Sequence, residues 1–328
     1  MLTIDGSHLE GGGQILRTAV ALSALSATPV TIERIRAGRK NPGLAPQHIA
    51  AVAAVAAVTD AQTEGLVPGS ERIVFSPGKP TRKEVTIQID TAGSIPLVLQ
   101  AWLPVALSVG GSLTVTGGTE VAWSPTIEYV DHVLAEVLRR HGANVTIEIE
   151  DRGYFPRGGG RVTARVEPSR LSPVTPGGDC PSCGVASCSA GLPDHVARRQ
   201  ADAALQTLAE AGISAVPATF DARRDGASTG SSVTAWAGAK GGIALGRPGL
   251  PAENVGMTAA KRLLRELEQP GTVDIYLADQ LLVYLAAYGG AYSTHTLSLH
   301  AETVCWLLEE FGCPVRCRRS TALTEFEA

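Results

Sequence analysis

Residues 133–150 read VLAEVLRRHGANVTIEIE. A stretch with helical spacing of apolar residues runs into Gly142, and after a short spacer Val145 opens an alternating, strand-like run. Gly suits the left-handed residue that follows a helix C-terminus. The same order recurs at 205–220 (LQTLAEAGISAVPATF) and 304–316 (VCWLLEEFGCPVR). Three copies of one helix-to-strand transition indicate a repeated α/β unit, not an alternating dinucleotide-binding wheel. Residues 84–90, 112–116 and 161–166 alternate apolar and polar side chains as half-buried strands do. The expected fold is α/β, in layered modules whose sheets are covered on one side by helices.

Two breaks divide the chain. Residues 173–188 (PVTPGGDCPSCGVASC) are rich in Gly, Pro and Ser, and 268–272 (EQPGT) follow a strong helix over 258–267. The expected arrangement is a large domain made of 1–178 and 268–328, interrupted by a smaller α/β domain over 179–267.

Length and composition narrow the function classes. The 328 residues are 44% hydrophobic and 18% charged with net charge −4, a globular composition and not a disordered one. The longest apolar run, 49–58, is ten residues, half of the roughly 20 that cross a bilayer. Asp5 and Glu10 stand where a secretory signal would be apolar, so the expectation is a cytoplasmic protein without a membrane partner. The acidic balance argues against coating nucleic acid by bulk charge, so any phosphate site must be local. Six cysteines in a chain of this size, with no secretory signal, are expected as reduced thiols.

Several segments have a composition suited to anions. Residues 5–18 (DGSHLEGGGQILRT) place three glycines before a helix that begins near Gln14, where close backbone approach and free helix N–H groups favour an anion. No Gly-Lys-Ser/Thr follows, which excludes a Walker A loop, and the spacing and distal acid of a dinucleotide fingerprint are missing. A tight strand-to-helix turn would explain the glycines equally well. Residues 34–48 (RIRAGRKNPGLAPQH) gather Arg34, Arg36, Arg39 and Lys40 within seven positions. Cations that close lie on a solvated face unless a polyanion is shared between them. Residues 152–160 (RGYFPRGGG) read as a hairpin, with base stacking as the other reading. Asp279 sits in the apolar segment YLADQL, and His300 in LSLHAET lies at a strand-to-helix junction. Taken singly, either would more often be a structural residue.

Together these segments resemble the RNA 3'-terminal phosphate cyclases. The matching pieces are EGGGQILR (10–17), IRAGRKNPGLAPQH (35–48), TAGSIPLVLQ (91–100), RGYFPRGGG (152–160), GLPDHVARR (191–199), YLADQ (276–280) and LSLHAET (297–303). They span nearly the whole chain in the family's order, and GRxxPGL with GxxPxGGG is especially specific. The resemblance implies a large domain of repeated α/β units, related to the enolpyruvyl transferase architecture, with a smaller insert. It also implies an ATP-dependent ligase that converts an RNA 3'-phosphate to a 2',3'-cyclic phosphate. In the family a histidine attacks the ATP α-phosphorus and releases pyrophosphate. AMP passes to the RNA 3'-phosphate, and the 2'-hydroxyl displaces it.

His300 matches the family nucleophile, whereas His295 does not. Arg17, Arg36 and Arg39 match phosphate-binding arginines and Gln47 a polar residue of the same site. Gln100 matches an ATP contact, as do Tyr276, Leu277, Ala278, Asp279 and Gln280, while Glu10 matches the contact to a divalent metal, Mg or Mn. The implied partners are ATP and RNA with a 3'-phosphate end. None of the lysines begins the Lys-x-Asp-Gly motif of lysine-adenylate ligases.

One feature departs from the family. Cys180, Cys183 and Cys188 form a CxxC with a third thiol, which would need a fourth ligand to hold zinc; the alternative is ordinary surface thiols. Two rival functions remain. A silent cyclase-like rRNA-processing scaffold would lack the nucleophilic histidine that is present here. An enolpyruvyl transferase would rest on fold analogy alone.

Overall fold

The N-terminal unit sets the pattern for the molecule. In this computed structural model, which describes residues 1–177, 183–214 and 216–328, strand β1 (Leu2–Asp5) leads through helix α1 (Gly13–Ser26) to β2 (Val30–Glu33). Helix α2 (Pro46–Thr59) then precedes the hairpin β3 (Gln62–Glu64) and β4 (Ile73–Ser76). The strands lie in the order β1-β2-β4-β3, with β1 and β2 parallel and the rest antiparallel.

The second unit repeats this order. Strand β5 (Lys83–Gln88), helix α3 (Ile95–Val109) and β6 (Gly111–Gly117) form the parallel crossover. Helical segments α4 (Ile127–Tyr129) and α5 (Glu136–Arg140), joined by a π-helical turn, precede the hairpin β7 (Asn144–Asp151) and β8 (Gly160–Glu167). The sheet order is β5-β6-β8-β7. Strand β6 buries every second residue, as its alternating sequence requires.

A third sheet follows, built from β9 (Cys183–Ala190), helix α6 (His195–Glu210), β10 (Ala218–Arg223), β11 (Gly230–Ala237), β12 (Lys240–Leu245) and helix α7 (Ala252–Glu268), in the order β10-β9-β11-β12. It has its own core of Val185, Leu208, Val233, Val255 and Leu263 under α6 and α7. Its other face packs on the second unit: Trp236 stacks on His132 at 4.1 Å, and Thr234 and Thr126 share a 2.7 Å hydrogen bond. Strands β9 and β11 are therefore buried almost throughout, unlike the one-sided sheets expected from alternation.

The chain ends on helix α8 (Ile275–Tyr288), β13 (Ala291–Thr294), helix α9 (Leu299–Glu310), β14 (Arg316–Arg319) and β15 (Thr324–Glu327). The order β13-β15-β14 is the repeat without its first strand. That place is marked by Val174, which forms a parallel bridge to Gly290. The third sheet is thus spliced between the first strand position of this last unit and its first helix.

Gly142 and Gly312 adopt the left-handed conformation after the helices of the second and last units, as their sequences require. In the first unit Asp60 takes that place with φ 47°, which is why the glycine pattern does not reveal the first repeat. The main core joins α1, α2, α3, α8 and α9, with twelve of the fifteen residues of α3 buried, including Trp102. Residues 152–160 form the expected hairpin; Tyr154 is buried, while Phe155 is exposed.

Cys180 lies outside the described residues. Cys183 and Cys188 lie on one strand five positions apart and so point to opposite faces. Cys188 is buried and its thiol donates to Glu128 Oε1 at 3.3 Å, so it is not a surface thiol. Burial and the adjacent Glu128 push that thiol well above its usual range. Among the described residues no group of three or more His, Cys, Asp or Glu side chains is arranged to hold a metal ion, and no helix is long and apolar enough to cross a membrane.

Candidate active site

The first and last units meet at helices α1, α8 and α9, and there residues nearly 300 positions apart converge. Helix α1 starts at Gly13 with Gly12 as its extended cap, with no side chain capping it and no acid in its first turn. Its N–H groups therefore face the site without a protein acceptor. A methyl group on Gly13 would collide with the His48 ring and crowd Arg17, so glycine is needed to let α1 and α2 approach.

His300 stands on the first turn of α9, behind the N-cap Ser298, which accepts from Ala301 N–H at 3.0 Å. Its Nε2 lies 2.6 Å from Glu10 Oε2, and its Nδ1 lies 3.9 Å from Asp279 Oδ2. Glu10 Oε1 also accepts from Arg39 at 2.8 Å. Gln14, in the quoted EGGGQ motif but assigned no role from sequence, donates to the His300 carbonyl at 2.7 Å and lies 3.5 Å from Asp279 Oδ2. The imidazole is thus held between two carboxylates on a ring that is half exposed.

Burial lowers the His300 pKa below its ordinary 6.5; Glu10 opposes this, and Arg17 and Arg39 reinforce it. The ring is therefore neutral at pH 7 and carries a free nitrogen lone pair. Burial pushes Asp279 up to about 7 against the pull of Arg17, and pushes Arg17 down to about 10. Asp279 is therefore poised to hold or release a proton near neutrality.

His48 is a site residue that its sequence position alone did not mark. Its Nδ1 accepts the Ala45 N–H at 3.0 Å, which leaves the proton on Nε2, beside Gly13 and Arg17. Burial, with Arg17 and Arg36 nearby, pushes its pKa down to about 3, so it stays a neutral donor. Arg17, this imidazole N–H and the bare N-terminus of α1 offer several donors converging on one place. That is the electrostatics of an anion site.

The remaining expected residues divide. Gln100, Asp279, Gln280 and Arg17 line one cavity with Gln14, Thr18 and Tyr284. Two buried oxygens of its lining, Gln280 Oε1 and the Tyr284 hydroxyl, have no hydrogen-bond partner. Gln47 Oε1 accepts the Ser94 N–H at 3.1 Å, tying α2 to the start of α3. Arg36 donates to the Gly43 carbonyl at 2.7 Å, within a loop closed by the left-handed Arg34 and Arg36. Arg34 pairs with Asp5 and not with the site. Tyr276 is exposed, whereas Leu277 and Ala278 are buried in the core, with the Ala278 carbonyl accepting from Tyr292 at 2.6 Å. Their side chains pack and do not face the cavity. His295 lies apart, 3.6 Å from Glu266.

The family model described as RNA 3'-terminal phosphate cyclase matches residues 8–316. The chain belongs to the RNA 3'-terminal phosphate cyclase family. A protein named RNA 3'-terminal phosphate cyclase from Methanococcoides burtonii is 44% identical over 95% of this chain and 94% of its own length. One of the same name from Pyrobaculum neutrophilum is 44% identical over 97% of this chain and 95% of its own length, and one from Thermococcus onnurineus is 42% identical over 95% and 93%. In this member of the cyclase family, the motif residues from both ends of the chain are assembled by the contact between its first and last repeats.

The neutral state of His300 carries a pH prediction. If this ring reacts as a nucleophile, its own protonation lowers the rate only below pH 6.5, a limb to be read in Asp279→Asn, which removes the neighbouring carboxyl that titrates at about 7. A profile of Asp279→Asn that still rises through an apparent pKa above 6.5 would contradict this reading.

Proposed function

We propose that the protein is an ATP-dependent RNA 3'-terminal phosphate cyclase, acting through a covalent histidine–AMP intermediate. The observation that carries this is His300, neutral and half exposed, set between Glu10 and Asp279 beside a cluster of anion donors. In this structure the neutral ring donates from Nε2 to Glu10 at 2.6 Å; attack by Nε2 requires Glu10 to turn away, as it would toward a divalent ion, and the ring proton to sit on Nδ1 toward Asp279. Nε2 forms a bond to the α-phosphorus of ATP as the bond to the bridging oxygen breaks, and pyrophosphate departs with that electron pair. The RNA 3'-phosphate oxygen next displaces the imidazole. The 2'-hydroxyl then attacks the phosphorus of the RNA 3'-phosphate itself, loses its proton and breaks the bond to the AMP oxygen, so that AMP leaves and the 2',3'-cyclic phosphate remains.

Arg17, Arg36 and Arg39 are assigned to the phosphates, whose charge grows as each bond forms. His48 and the α1 N-terminus add neutral donors at the same place. Gln47 holds the phosphate-binding helix to Ser94. Gln100, Asp279 and Gln280, which line the cavity, are assigned to the nucleotide, with Leu277 and Ala278 holding their helix in the core, and the two unpartnered oxygens in the cavity suit donors on it. Glu10 would hold a magnesium or manganese ion; one carboxylate with substrate phosphates is a normal donor set for such an ion, which neutralises phosphate charge. The functional division is a large domain of 1–178 and 268–328 and an inserted domain of 179–267, supported by the separate core under α6 and α7.

Incubation with ATP labelled at the α-phosphate and magnesium, followed by denaturation and peptide mapping, tests the proposal. AMP retained on the peptide carrying His300 is expected. Absence of label, with RNA binding intact, would favour a silent scaffold.

A further inference from the structure

Three loops meet at the far end of the second sheet from its helices' cores. Ser94 bridges Gly118, and Glu120 bridges Tyr154, which laces residues 91–94, 118–125 and 153–159 together. Ser124 Oγ lies 2.6 Å from Ser94 Oγ, and Tyr154 is buried, with its N–H donating to Ser228 at 2.7 Å.

From this frame two aromatic rings stand out into solvent. Trp123 is fully exposed, and Phe155 is exposed beside the buried Tyr154. Single exposed apolar side chains are ordinary. What sets Trp123 apart is its φ of +66°, a left-handed conformation that a bulky residue rarely adopts and that contributes nothing to any core. Phe220, also exposed, has the Arg198 guanidinium over its ring at 5.9 Å. Chain length and the Glu120–Tyr154 bridge keep Trp123 and Phe155 within about 20 Å of each other. Arg157, exposed two positions after Phe155, has no ion pair or hydrogen bond among the described residues. Arg152, five positions earlier, is instead buried against Glu120, Glu128 and Asp221.

The frame also touches the active site. Ser94, which holds Ser124, donates its N–H to Gln47, the neighbour of His48. Trp123 is thus two contacts from the residue next to His48, through Ser124, Ser94 and Gln47.

We propose that Trp123 and Phe155, with Arg157, form a stacking platform for the bases of single-stranded RNA just upstream of the reacting 3' end. Rings that accept any base face, flanked by an unpaired guanidinium for the backbone, bind single strands without reading sequence. The inference rests on the proposed cyclase reading for its direction along the strand. The platform gives the site a hold on RNA beyond the terminal phosphate and ribose.

The test uses the full-length protein and a short 3'-phosphorylated oligoribonucleotide, with binding read by anisotropy. Trp123→Ala is expected to weaken binding about 5- to 150-fold, the range found for loss of one stacked base. Trp123→Phe should restore most of the affinity. RNA with abasic sites at the positions nearest the 3' end should lose affinity for the wild type by a similar factor and lose little more for Trp123→Ala. Equal losses from abasic sites in wild type and variant, or unchanged affinity of both Trp123→Ala and Phe155→Ala, overturn the platform. Labelling of the wild type by ATP, run in parallel, reports on the cyclase reading separately: RNA affinity that depends on Trp123 without labelling would reject the cyclase and keep the platform.

Discussion

Replacing His300 by asparagine is expected to eliminate covalent AMP and to lower cyclisation by at least about 10⁴-fold, the scale on which loss of a nucleophile acts in other covalent enzymes. The fold should survive the change. The ring is half exposed, and its two carboxylate neighbours remain solvated or paired with Arg39 and near Arg17. A substitution at such a site shifts stability by only about 0.5 kcal/mol, so the melting temperature should barely move. The comparison separates chemistry from binding, because asparagine retains a polar group facing Glu10 while it lacks a nucleophilic nitrogen. Label retained on the variant would assign the nucleophile to another residue. Loss of label with loss of the cooperative melt would mean that His300 is needed for folding and leave its chemistry to be read from the pH profile.

Asp274→Ala should produce the largest loss of stability. Asp274 is completely buried, and its two oxygens accept from the Tyr129 hydroxyl at 2.7 and 2.8 Å, from the N–H groups of Tyr276 and Leu277 at 2.8 and 2.7 Å, and from Gly241 N–H at 2.7 Å. One carboxylate therefore caps α8, holds the second unit through Tyr129 and anchors the third sheet through Gly241. Truncation would leave several buried donors unpaired, at a cost of about 3–5 kcal/mol. At roughly 2–4 °C per kcal/mol for a chain of this size, the melt should fall by about 6–20 °C. Asp274→Asn, which keeps the shape and one carbonyl acceptor, should lose less. A melting temperature for Asp274→Ala within about 2 °C of wild type would show that these bonds contribute little net stability. Because α8 carries Tyr276, Asp279 and Gln280, labelling by ATP should weaken in the same variant.

The two residues were not equally visible in the chain. His300 stands in a motif, LSLHAET, whose residue types point to a strand-to-helix junction and whose resemblance to the family's histidine motif implies the nucleophile. Asp274 is one acid among many in the sequence, and its importance comes from Tyr129 and Gly241, which reach it from 145 and 33 positions away. His48 lay inside a quoted motif, yet its role required the contact with Gly13 on another helix. Leu277 and Ala278 lay in the nucleotide motif as well, but the helix turns their side chains into the core.

Local chemistry was legible from sequence alone. Alternation specified the strands β5, β6 and β8, and glycine after a helix marked the turns at Gly142 and Gly312. These signals depend on neighbours within a few positions, which the chain itself supplies. Tertiary structure decided the rest. It showed that the repeat begins in the first unit, where Asp60 replaces the expected glycine, and that the last unit lacks a full first strand. It buried Arg152 among Glu120, Glu128 and Asp221, and it brought Glu10, Arg17, His48, Asp279 and His300 to one place. Charge burial and the lowered pKa of His300 arise from long-range packing, because desolvation is set by whatever covers a group and not by its place in the chain.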